Sequence, residues 1–84
     1  MMDPHYEKYR QLSLNISRYR KLKGWTQAFL ADKVHISPGH LSHIEAPKMV
    51  ASFSVGVLFD IADALDVEVK DLFEFKNDAN TPRG

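Results

Sequence analysis

The sequence predicts an all-α fold, and three observations predict it. Apolar residues recur at steps of three and four: Tyr9, Leu12, Ile16 and Tyr19; Leu30 and Val34; Leu41 and Ile44; and Val57, Leu58, Ile61, Ala62 and Leu65. That is the period of a helix with one buried face. Thr26, Ser37 and Ser54 each precede one of the later runs, and a hydroxyl there accepts from the free amides of a first helical turn. No stretch shows the alternation of a half-buried strand, and there is no repeat or low-complexity tract.

The first helix is predicted from about Pro4 to Lys23, with Asp3 as its cap and Pro4 in its first turn. Gly24 ends it, and Arg20, Lys21 and Lys23 lie in the last turns, where the helix dipole favours cations. Leu14 does not fit the apolar stripe, so a break near Ser13 is expected. Tyr6 and Tyr9 read as packing residues, and Trp25, in the connection, is expected against the core. The second helix spans Gln27 to Val34 after the Thr26 cap. Ser37 caps the third, with Pro38 at its first position, where a missing N–H costs nothing. Ala46-Pro47 stops it, and Lys48 to Phe53 reads as a loop. Ser54 caps a fourth helix, weakened slightly by Gly56 in its first turn. Asp66 to Glu68 is a corner and Val69 to Phe75 a short last helix. Residues 77–84 are polar, with Pro and Gly, and are expected to fray. The expected organisation is a helical extension over 1–11, one domain over 12–76 and a flexible tail over 77–84.

The 84 residues suffice for one compact domain and not for two. With no Cys, disulfides and thiolate metal sites are excluded. No apolar run approaches the roughly 20 residues needed to span a bilayer, so no membrane association is expected. The N-terminus lacks a hydrophobic signal region, and the default location is the cytoplasm. Net charge is zero, but it is polarised. Residues 1–48 hold 8 Lys/Arg and 4 Asp/Glu, while residues 49–84 hold 3 and 7, a balance of +4 against −4. All four His lie in the basic half. Such a molecule can turn one face to phosphates and the other away. A solvated basic helix is the plainer alternative.

Catalysis is not expected. The acids between Asp60 and Glu74 are spread along the solvent side of helices, and no Ser/His/Asp set or Gly-rich phosphate loop appears. His40 and His43 share a helix face but lack a third metal ligand. Neither a metal nor a cofactor is expected.

Residues 27–45 read as two short helices joined by a tight corner. Leu30, Val34, Ile36, Leu41 and Ile44 are the anchors, Ile36 plugging the corner and Ala31 allowing a close crossing. The second of these helices is left with a bare polar side, the geometry used to enter a DNA major groove. Its exposed residues are expected to be Pro38, Gly39, His40 and His43, with Ser42 partly so.

Residues 12–73 resemble the phage-repressor-like helix-turn-helix domains, also called Cro-like or XRE-like. The resemblance rests on an ordered series: Ile16 and Arg20; Gly24-Trp25-Thr26-Gln27; Leu30-Ala31; Ile36-Ser37; Leu41-Ser42; Ile44-Glu45; Ile61-Ala62; Ala64-Leu65; and Leu72-Phe73. It implies a compact five-helix lambda-repressor-like domain in which the third helix is the recognition helix. It further implies that Gln27 touches DNA from the start of the second helix, where its amide suits a bidentate bond to adenine. Arg20 and Glu45 match a structural ion pair. Departures from the pattern are His35 at a corner usually held by Gly, Ala46-Pro47 after the glutamate, and a loop to the fourth helix about two residues longer than common. Pro38-Gly39 stands where long polar side chains are usual.

The expected function is sequence-specific binding of a double-stranded DNA operator by a small prokaryotic or phage transcriptional regulator, a repressor by the simplest, steric mechanism. The DNA-contact set is Gln27, Ser37, Pro38, Gly39, His40, Ser42 and His43, with Lys48, Arg18 and Lys23 as candidate phosphate contacts or ordinary surface charges. Protonated imidazoles at His40 and His43 would favour DNA, so binding is expected to tighten in mild acid. A homodimer is expected, with Phe73 or Phe75 at its interface as the resemblance implies. The rival readings are an antitoxin-like module that binds a protein partner and a scaffold that keeps only the fold.

Overall fold

A computed structural model describes residues 4–46 and 54–74. Within them the chain forms five helices: α1 (Tyr6–Leu22), α2 (Gln27–Lys33), α3 (Pro38–Glu45), α4 (Val55–Leu65) and α5 (Val69–Leu72). The loop expected over 48–53, Asp3, Phe75 and the tail all lie outside the described residues. Ile16, Leu30, Leu41, Ile44, Ile61 and Leu72 are fully buried, at least one from each helix, and Leu12, Ala31, Val34, Ala62 and Leu65 complete the core around them. Trp25, Ile36 and Tyr19 pack against it half-buried. Ala31 is wholly buried between α2 and α3, where a larger side chain would force the two helices apart.

The caps are chemically uniform. Thr26 Oγ1 accepts from Phe29 N at 3.0 Å, Ser37 Oγ from His40 N at 3.0 Å, and Ser54 Oγ from Val57 N at 3.1 Å. In α5 the cap is reversed: Glu68 N donates to the Asp71 carboxylate at 2.9 Å. The helix ends share one device. Gly24, His35 and Asp66 are left-handed, with φ of 76, 60 and 61°. After each, the next residue donates back across the turn: Trp25 N to Arg20 O at 3.2 Å, Ile36 N to Ala31 O at 3.0 Å, and Val67 N to Ala62 O at 3.0 Å. This closure satisfies carbonyls that the helix leaves orphaned and turns the chain sharply back onto the core. His35 and Asp66 hold a conformation that glycine adopts without steric cost.

Two expectations about α1 are corrected. It begins at Tyr6 rather than Pro4, with His5 O accepting from Lys8 N and Tyr9 N. It also runs unbroken through Ser13, so the boundary placed after residue 11 falls inside a continuous helix. Leu14, off the apolar stripe, is half-buried between two residues that are buried for their polarity, Ser13 and Asn15. Ser13 Oγ donates to Ile44 O at 2.6 Å, satisfying one of the open carbonyls at the end of α3. Asn15 Nδ2 donates to Leu72 O and to Glu74 O, both at 2.8 Å, closing the end of α5. Tyr9, read as part of the stripe, is 36% exposed. Of the other helices, α2 stops one residue early, at Lys33, and α5 stops three residues early, at Leu72.

The α5 helix has four residues and cannot persist alone. Asn15→Ala removes both side-chain bonds at its end and leaves a small void. The expected cost is about 1–3 kcal/mol, read as a lower urea midpoint with an unchanged denaturant slope.

Candidate nucleic-acid interface

The α3 helix presents two unlike sides. Leu41, Ile44 and Glu45 face inward and are buried, while Pro38, Gly39, Ser42 and His43 are exposed. His40 is half-buried, a correction to its expected full exposure, and Ser42 is more open than expected. Pro38 has no N–H, His40 N donates to Ser37 Oγ and Leu41 N to Ser37 O, so Gly39 N–H is the first-turn amide left open at the tip. A Cβ built on Gly39 meets nothing within 4 Å, so nothing within the described part of the domain requires a glycine there.

The inward side is held by a network of charged hydrogen bonds. Arg20 grips Glu45 with two parallel contacts, Nε to Oε2 at 2.8 Å and Nη2 to Oε1 at 2.9 Å. The third arm, Nη1, donates to Trp25 O at 2.6 Å. Gln27 Nε2 donates to Glu45 Oε1 at 2.9 Å. Arg20 and Glu45 side chains are only 9% and 3% exposed. A buried ion pair holds only when its remaining polar atoms are also satisfied, and here the fork geometry and the two extra bonds do this. The network ties α1, the α1–α2 connection, the head of α2 and the end of α3.

The same bond fixes what Gln27 can offer. Its nitrogen must face the carboxylate, because only the nitrogen can donate. Its oxygen has no partner among the described residues. At the head of α2 the chain therefore presents a held acceptor, with one remaining amide hydrogen beside it.

The candidate phosphate contacts do not join this group. Arg18 is exposed and lines a shallow groove along α1 with Gln11, Leu14, Lys21 and Leu22. Lys23 Nζ lies 3.2 Å from the Asp66 carboxylate and 5.1 Å from the centre of the Trp25 ring. Lys48 and Phe75 fall outside the described residues. Phe73 is 48% exposed at the end of α5. Among the described residues no group of three His, Asp or Glu could hold a metal ion, and no helix is long and apolar enough to cross a membrane.

Sequence reasoning passed over one cluster. Trp25 and Phe29 meet edge to face at 4.9 Å, and Lys33 Nζ sits over both rings, at 5.6 and 5.4 Å. The step of four from Phe29 to Lys33 on one face of α2, with Trp25 just before the Thr26 cap, was the available signal.

The profile of the helix-turn-helix family matches residues 16–72, and the chain belongs to that family in its Cro/XRE-like form. It is thus a DNA-binding regulatory domain in general terms. Among curated proteins none matches the chain.

Removing either charge of the buried pair strands the other. Arg20→Met or Glu45→Leu alone should each cost about 3–5 kcal/mol, a large share of the stability of a domain this small. The double variant should recover much of that loss. A double-mutant cycle from urea denaturation measures the coupling.

Proposed function

We propose that the chain binds double-stranded DNA with sequence preference by setting α3 into the major groove. The observation that carries this reading is the division of α3 itself. One side is anchored by Leu41, Ile44 and the charged Glu45, and the other is bare at Pro38, Gly39, Ser42 and His43. A helix that is rigidly backed and has short side chains at its tip can come close to a duplex.

The proposed contacts follow from chemistry at each position. Ser37, Pro38 and Gly39 form a slim tip, and the Gly39 N–H, left open by the Ser37 cap, suits a phosphate. His40, Ser42 and His43 reach toward base edges. Gln27, held through its nitrogen, offers its oxygen to an exocyclic amine such as adenine N6, and its second amide hydrogen to the neighbouring N7. Arg18, Lys23 and Lys48 add charge near the duplex rather than readout. Of these, Lys23 would have to leave Asp66 to reach a phosphate. The regulator would act as a homodimer, and occupation of an operator would exclude other proteins from it. This assigns a repressor. A module that binds only protein would share the fold but show none of the DNA behaviour described next.

The test is selection of bound duplexes from a random pool, followed by titration of the selected site. Affinity should fall steeply with salt through counterion release and exceed that for scrambled DNA by at least about a thousandfold. Binding that is salt-insensitive, or equal on scrambled DNA, overturns the reading.

Gly39 supplies a sharper test. Gly39→Ala fills open space in a helix, so it should stabilise the free protein by about 0.5–1 kcal/mol. If the tip meets DNA closely, the same methyl should weaken operator binding. Raised melting temperature together with unchanged affinity would remove Gly39 from the interface.

A further inference from the structure

The outer flank of α1 carries a shallow groove. Gln11, Leu14, Arg18, Lys21 and Leu22 line it, at the steps of three and four that place residues on one side of a helix. Leu22 is 74% exposed, the most open of the large apolar side chains among the described residues, and Leu14 is half-buried. Arg18 and Lys21 are exposed, and neither has an ion-pair partner among the described residues. Other cations of the chain are engaged: Arg10 with Glu7 at 2.9 Å, Lys23 with Asp66, and Lys33 over two rings. The groove thus joins exposed leucine to unspent positive charge.

Bonds already described fix its direction. Ser13 and Arg20 reach α3 through Ile44 O and the Glu45 carboxylate. At about 100° per residue, Arg18 is turned about 140° from Ser13 and about 160° from Arg20. The groove and α3 therefore lie on opposite sides of α1. Asn15 also lines the groove, and its bonds to Leu72 O and Glu74 O brace this stretch of α1 against the end of α5. A braced surface loses little freedom when something binds it. From Gln11 to Leu22 the groove runs about 16 Å at helical rise, the length of three turns of a second helix.

We propose that this groove docks an acidic amphipathic helix of a different protein. Leu14 and Leu22 take the apolar stripe of such a helix, whose anchors recur at steps of three and four. The Arg18 fork holds a carboxylate through two parallel bonds, and Lys21 pairs with another at the rim. Charge complementarity selects this occupant. A nucleic-acid backbone would use the cations and gain nothing from the leucines. An anionic lipid surface is drawn by clusters of about four to eight cations, more than Arg18 and Lys21 supply. A second copy meeting groove to groove would set like charges against each other. Arg18 is thereby assigned to a carboxylate rather than to a phosphate near the duplex. A partner seated here leaves α3 uncovered, so the proposal goes beyond DNA binding and does not rest on it.

Selection from a random library of displayed helical peptides, about 14 residues or four turns long, on the 84-residue chain tests it. Peptides enriched on the unaltered protein and lost on Leu22→Gln are synthesised, and their affinities are measured by fluorescence anisotropy. They should carry an apolar stripe flanked by Asp or Glu. Lys21→Glu should weaken them about tenfold or more, and exchanging one peptide carboxylate for Lys should restore binding to that variant within about threefold. Such a restoration cannot come from misfolding, and circular dichroism checks the fold of Leu22→Gln. Failure to enrich any Leu22-dependent peptide, or enrichment of basic ones, overturns the proposal. So does Leu22-dependent binding of phosphatidylserine vesicles or single-stranded DNA, which would make the occupant a lipid surface or a nucleic acid. Competition by a peptide of residues 75–84 would make it the chain's own segment, and self-association lost on Leu22→Gln a second copy. If operator binding fails while the peptides behave as described, the groove stands and the DNA reading falls.

Discussion

The bidentate contact between Arg20 and Glu45 is the constraint on which the arrangement of the domain depends. Arg20 is on the longest helix and Glu45 is the last residue of α3. Their contact fixes the rotation of α3 about its own axis, because a guanidinium fork accepts a carboxylate in one plane. Apolar packing alone would hold α3 against the core but would resist rotation weakly, since hydrophobic attraction has no direction. Rotation is what decides which residues of an eight-residue helix look outward. The buried pair thus governs the exposed face from behind it, and Gln27 shares the same carboxylate.

Much of the fold was legible in the chain, for definite reasons. Thr26, Ser37 and Ser54 marked helix starts because capping is a local bond between a hydroxyl and an amide three residues on. Leu30, Leu41, Ile44, Ile61 and Leu65 marked buried faces because helical period maps directly onto burial. What local pattern could not carry were bonds between distant residues. Nothing local marks Ser13 and Asn15 as core residues, because their partners lie 31 and 57 residues away. His35 looked awkward at its corner, yet the backbone adopts φ of 60° there with a closing bond from Ile36 to Ala31. The helix closure at that corner offsets the strain that the side chain introduces.

At the candidate site the sequence supplied the identities of α3's outward residues but not their degrees of exposure. His40 sits lower against the domain than an ideal projection suggests. For the lysines, charge count was a poor guide. Lys23 and Lys33 are cations placed over aromatic rings, an arrangement that orients both without requiring a phosphate. The +4 of residues 1–48 is therefore not one electrostatic surface. Part of it lies along α1, part over the Trp25 and Phe29 rings, and only some bears on α3.

Asn15 couples two elements that lie far apart in the chain. Its side chain is buried on α1, and its acceptors are the carbonyls of Leu72 and Glu74. If the end of α5 peels away, that amide loses both acceptors and the inner side of α1 is left with an unsatisfied donor. Fraying of a four-residue helix is thus opposed from the far end of the sequence, by a residue that its own local pattern does not contain.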